Sequence, residues 1–199
     1  MDSKKNSPAA EPHILDTGAL RALAHPLRVE IYDLLSQYGP QTSSSLAEKT
    51  GESSGSTSYH LRALAKHGLI RDIPGKGTGR ERWWERVHQS VTLTSLDALR
   101  TPAGRAASQV VNLEFLDRRH HQLREFVAST LREEPDEWGE NLLIRTATTS
   151  LTLEQLKELQ SELTAVLDSY TERYRDQTGA GVRRVSVQTS LLPLDERPQ

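Results

Sequence analysis

The leucines that follow a run of serines in residues 51–70, GESSGSTSYHLRALAKHGLI, constrain the fold of this 199-residue chain more than any other feature. The first eight residues of that stretch are all Gly, Glu, Ser or Thr, a composition usual in linkers. Leu61, Leu64 and the pair Leu69/Ile70 then fall at helical spacing, and Gly68 closes the run. A linker has no use for a buried stripe. The serines therefore read as the self-capping start of a helix over 53–67, with Gly51 ending the helix before it.

The flanking segments give that helix partners. Leu20, Leu23 and Ala24, then Leu27, Ile31, Leu34 and Leu35, carry helical spacing on either side of His25-Pro26. Proline suits a first helical turn and biases the residue before it away from helical angles, so two helices are expected, over 16–24 and 26–37. TSSSLAEKTG, at 42–51, reads as a short helix capped by Thr42 or Ser43. LIRDIPGKGTGRERWWERV reads as strand, glycine-rich tip and strand, because Pro74, Gly75, Gly77 and Gly79 do not suit an element interior. Trp83 and Trp84, adjacent on a strand, must point to opposite faces, one toward the core and the other toward the C-terminal part, a second subunit or an apolar ligand, with packing on the C-terminal part the reading favoured.

Beyond about residue 94 the character changes. Thr101-Pro102 is a helix start, and Val110, Leu113, Leu116, Leu123, Val127 and Leu131 mark one face of a long helix over about 103–132. Val111, Phe115 and Phe126 lie on other faces, more apolar surface than one intramolecular partner needs, so this helix is the expected dimer element. NLLIRTATTSLT and VRRVSVQTSLL, rich in β-branched residues, are expected strands around a helix opened by a Thr152/Gln155 capping box. Trp138, Tyr170 and Tyr174 are expected in the core. The fold class is mainly α with a small β component. It comprises a disordered tail (1–13), a winged helix-turn-helix domain (14–94) and a C-terminal dimerisation or effector part (95–199).

Charge and composition exclude several functions. The formal net charge is −2, but residues 54–88 hold seven Lys/Arg against three acids, whereas 134–176 hold ten acids against four Lys/Arg. There are no cysteines, which removes disulfides, thiolate metal sites and cysteine nucleophiles. The N-terminal segment lacks the apolar core of a signal peptide and no run reaches membrane-spanning length, so a cytoplasmic protein without membrane contact is expected. No Ser/His/Asp order, phosphate loop or metal motif has a supporting context, and PGKGTGRE lacks Walker spacing, so no enzyme is expected.

A helix can read the major groove when its outward face carries small polar and basic groups and its inward face docks on the domain. Ser54, Ser56, Tyr59, His60, Arg62, Lys66 and His67 fall broadly outward, and Thr57, Leu61 and Leu64 inward. Lys76, Arg80 and Arg82 sit at the hairpin tip, where a wing touches phosphate or minor groove. LRALAHPLRVEIYDLL, SSSLAEKTGESSGSTSYHLRALAKHGLI and GRERWWE, in this order and spacing, resemble the bacterial ArsR/SmtB-type winged-helix regulators over roughly residues 16–90. The resemblance implies a dimeric repressor of a near-palindromic operator in double-stranded DNA; no cofactor is expected for this chain. It also implies that Ser54, Ser56, Thr57, Tyr59, His60 and Arg62 read DNA. The C-terminal extension resembles that of longer regulators, and a small-molecule effector is open as a further partner. Such proteins often sense metals. The one spacing here that suits a ligand set is Asp117, His121 and Glu125, at i, i+4 and i+8, which also arises in a solvated charged stripe, the reading favoured. The alternative function is a winged-helix module for protein interaction or architecture, without sequence-specific reading of DNA.

Overall fold

The computed structural model describes residues 14–77, 81–87, 91–93, 95–130, 136–175 and 177–194. Helix α1 (Thr17–Leu23) begins where the Asp16 carboxylate accepts a hydrogen bond from the Ala19 N–H at 2.7 Å. Helix α2 (Pro26–Tyr38) starts at Pro26 with His25 extended before it, as the proline requires. Strand β1 (Gln41–Thr42) leads into α3 (Ser43–Thr50), where Thr42 and Ser45 form a reciprocal capping box and Gly51 stops the helix at φ 71°. Helix α4 (Ser54–Lys66) is capped by Ser53, whose hydroxyl accepts from the Ser56 N–H at 3.1 Å. The serine run thus opens a helix.

Strands β2 (Ile70–Asp72) and β3 (Trp83–Arg86) pair antiparallel, Ile70 opposite Arg86 and Asp72 opposite Trp84. β1 pairs with the other edge of β3, giving the order β1-β3-β2. Two residues leave no periodicity to read, and β1 is absent from the sequence reading for that reason. Trp84 enters the core, and Trp83 turns outward as the alternation demands. Trp83 is covered by its own hairpin instead of the C-terminal part: the Lys76 ammonium lies 4.5 Å from its ring centroid. A Cβ on Gly77, at φ 95°, would strike the same indole.

Leu20, Leu23, Ile31, Leu46, Leu61 and Leu64 are each fully buried and form the centre of the core. That core runs on past residue 94. Helix α5 (Leu96–Leu99) contributes Ala98, and α6 (Pro102–Thr130) contributes Val111 and Phe115 while packing on α1, α2 and α5. Gly104 permits the closest of these approaches, since a Cβ there would collide with the Ala98 carbonyl. The face of α6 that meets the core is Ala107, Val111 and Phe115, and the stripe that dominates the sequence pattern points outward. Val110, Leu113, Leu116 and Leu123 are all exposed.

Helices α7 (Glu137–Glu140) and α8 (Leu153–Arg173) follow, and neither has a buried residue. Thr152 and Gln155 form the expected capping box. The two expected strands do not form: residues 141–152 and 182–192 enter no β-ladder. β-branched residues favour extended backbone, but a strand also needs an edge to pair with, and neither segment pairs with β1 or β2, the outer strands of the sheet. Trp138, Tyr170 and Tyr174 are correspondingly exposed rather than in the core. The whole is mostly helical with one small antiparallel sheet, the fold class expected.

Candidate nucleic-acid interface

The interface is built on α4. Its inward residues Thr57, Leu61 and Leu64 are buried against the body of the domain, which fixes the rotation of the helix. Tyr59, Arg62 and Lys66 are exposed on the opposite side, Ser54 is exposed as the first residue of the helix, and Ser56 is half-buried beside the cap. Across from them the hairpin presents Lys76 and Arg82, both exposed. Arg80 and residues 78–79 lie outside the described residues. Helix α3 completes the arrangement, its N-terminal serines facing the same space. A cleft of about 510 Å³ is lined by Ser43, Ser44, Ser58, Arg62, Glu81, Arg82 and Trp84.

Ser43, Ser44 and Ser58 are absent from the sequence-derived set. Ser43 reads only as a candidate helix cap, and the sequence does not reveal that the N-terminal end of α3 opens on the same cleft as Arg62. The N–H groups of a first helical turn lack intrahelical acceptors and favour an anion such as a phosphate. Among the described residues, no carboxylate lies within 4 Å of Arg62, Lys66, Lys76 or Arg82, so these cations keep their charge for an outside partner.

Two members of the set are corrected. Thr57 is fully buried, and its hydroxyl donates to the Ser43 carbonyl at 2.8 Å, bracing α4 against α3. It positions the helix but cannot touch a base. His60, placed outward from its helical angle, is only 8 % exposed. Its ring lies 4.7 Å from that of His25, and its Nδ1 accepts from the Arg28 Nε at 3.2 Å. Burial, with added repulsion from His25 and Arg28, lowers its pKa below the ordinary 6.5, against a weaker opposing pull from Glu52. A neutral ring held by Arg28 belongs to the scaffold.

The basic segment is likewise smaller than its residue count. Arg71 pairs with Glu85 across the hairpin at 2.8 Å. Arg86 is buried, donating to the Ser36 hydroxyl at 2.6 Å and stacking 4.4 Å over Tyr32. Arg62, Lys66, Lys76 and Arg82 are the described cations left on the outer surface. Asp117, His121 and Glu125 are exposed along α6, and among the described residues no three His, Asp or Glu side chains come together in a group able to hold a metal ion.

Two helices joined through a tight turn, the second presenting a polar and basic face beside a basic hairpin, define a helix-turn-helix with a wing. Residues 23–73, from the end of α1 through β2, match the family described as a helix-turn-helix domain. No match is found among curated proteins. The chain carries a helix-turn-helix DNA-binding domain and is, at that general level, a DNA-binding transcription regulator. Among the described residues no helix is long and apolar enough to cross a membrane.

Proposed function

We propose that the protein is a homodimeric, sequence-specific transcriptional repressor of the ArsR type, without enzymatic activity, that binds a near-palindromic operator through α4 and the wing. One observation carries this reading. Arg62 on α4 and Arg82 on the wing share a cleft with the N-terminal serines of α3, so base-reading and phosphate-holding groups face one surface. Ser54, Ser56, Tyr59, Arg62 and Lys66 are the proposed groove contacts, and Lys76, Arg80 and Arg82 the wing contacts. Dimerisation is assigned to the exposed stripe of α6, and response to an effector to the C-terminal part.

The test is binding to genomic fragments that the protein itself selects, at fixed salt. Arg62→Ala should weaken binding by about 1–3 kcal/mol and relax the preference at one base position. Arg82→Ala should weaken binding evenly across sequences and flatten the salt dependence by about one unit of slope. Unchanged affinity in both variants would remove the assignment.

A further inference from the structure

We propose that Arg28 and His60 are a positioning pair that seats the recognition helix, and that a proton on the His60 ring unseats it, so that α4 loses its reading of DNA in acid. The proposal rests on the function proposed above and deepens it by naming what regulates the reading surface. Arg28 acts through His60, and His60 through the position of α4, so neither is a base contact.

The first ground is how few directional ties hold α4. Leu61 and Leu64 are buried, but apolar contact is non-directional, whereas a hydrogen bond fixes an angle as well as a distance. Among the described residues, two hydrogen bonds join side chains of α4 to other elements. Thr57 reaches the Ser43 carbonyl of α3, and His60 meets Arg28 of α2. The Arg28 guanidinium serves three helices at once: its Nε donates to the His60 Nδ1 at 3.2 Å, and its Nη1 donates to the Ala22 carbonyl of α1 at 2.8 Å. The carbonyls of a last helical turn favour a cation, so α1 holds the guanidinium in place. Helix α4 hangs on it through one lone pair.

The second ground is the chemistry of that lone pair. A neutral imidazole accepts at one nitrogen, and an imidazolium accepts at neither. One proton on Nδ1 therefore removes the acceptor and sets two cations 3.2 Å apart. The ring is 8 % exposed, so little water reaches the charge where it sits. His25, at the start of α2, lies 4.7 Å away ring to ring and adds to the repulsion. Glu52, in the turn before α4, pulls the other way and is the weakest of these influences. Among the described residues no carboxylate lies within 4 Å of His60 or Arg28. Tyr59, a proposed groove contact, meets the same ring edge-on at 5.2 Å, so a displaced ring is felt at once on the outer face.

The test compares binding to DNA that the protein itself selects with binding to a scrambled duplex of equal length. Both are measured at fixed salt from pH 7.5 to pH 5.0, with circular dichroism at each pH. For the wild type the ratio of the two affinities should fall on acidification, by up to about tenfold per pH unit below the ring's own value, the limit for one linked proton. The ratio cancels the general gain in phosphate attraction that acid brings to any histidine. In His60→Asn the side-chain oxygen replaces Nδ1 with an acceptor that does not titrate, and the ratio should stay level across the range. Arg28→Met should lower the ratio at pH 7.5 and leave the salt dependence unchanged. A wild type that prefers no DNA at pH 7.5 would overturn the sequence-specific reading and this proposal with it. A wild-type preference that is level in pH, or that falls equally in His60→Asn, would overturn this proposal alone. So would a loss of helical circular dichroism in step with the preference, because acid would then act on the whole domain. A salt dependence flattened by about one unit of slope in Arg28→Met would make Arg28 a phosphate contact and overturn its positioning role.

Discussion

His60 lies on the recognition helix with its ring turned back toward the corner between α1 and α2. The groups facing it are His25, Arg28, Glu52 and Tyr59, whose ring meets it edge-on at 5.2 Å. Its folded-state pKa lies below the ordinary 6.5, so the native state favours the neutral ring. Its contribution to stability is complete above about pH 6.5 and is lost as the pH falls through the lowered value, because the unfolded chain then binds the extra proton. Urea midpoints should therefore drop between pH 7.5 and pH 5.5 by more in the wild type than in His60→Gln, which cannot take up that proton. Equal slopes for the two proteins would remove His60 as the group responsible.

At the scale of elements, α4 carries a glycine where a helix gains nothing from one. Gly55 sits in the first turn without a positive φ, and a Cβ there would come no closer than 3.8 Å to the rest of the chain. Gly55→Ala should therefore stabilise the domain, by up to about 1 kcal/mol, in thermal unfolding. If the DNA backbone approaches this turn closely, the same substitution should weaken operator binding; unchanged affinity would show that the approach is not close. The existence of α1 to α4, the caps of α3 and α4, and the hairpin strands were legible in the sequence, because apolar spacing and cap chemistry are local signals; the Asp16 cap of α1 was not among them. Which stripe of α6 meets the core was not. Val111/Phe115 and Val110/Leu113 are both apolar sets on one helix, and only the packing of α1 and α2 chooses between them. The positions of Thr57 and His60 show the same limit at the interface. Helical angle alone left His60 outward, and the corner at His25 decided its burial. The β-branched segments at 141–152 and 182–192 read as strands because propensity is local, whereas pairing is not.

At the scale of the molecule, the proposed two-fold dimer would fix the DNA that can be bound. Recognition helices related by such an axis read half-sites about one helical turn apart, roughly 34 Å or 10 base pairs centre to centre. Footprinting on selected fragments should show two protected half-sites with that spacing. Inserting five base pairs between them should abolish cooperative occupancy, because the second half-site moves to the opposite face of the duplex. Deleting the chain from about residue 100 is a poor test of dimerisation, because it removes Val111 and Phe115 from the domain core. A cut after residue 135 leaves that core whole.

The bond from the Thr57 hydroxyl to the Ser43 carbonyl has a consequence for how the operator is measured. It ties the first turn of α4 to the first residue of α3, so the serines proposed to hold phosphate and the side chains proposed to read bases are the two jaws of one caliper. The gap between them is set inside the protein before DNA arrives. On the proposed reading, a backbone that seats on one jaw would present a single base step to the other, and sequences would be compared at a fixed register instead of by sliding adjustment.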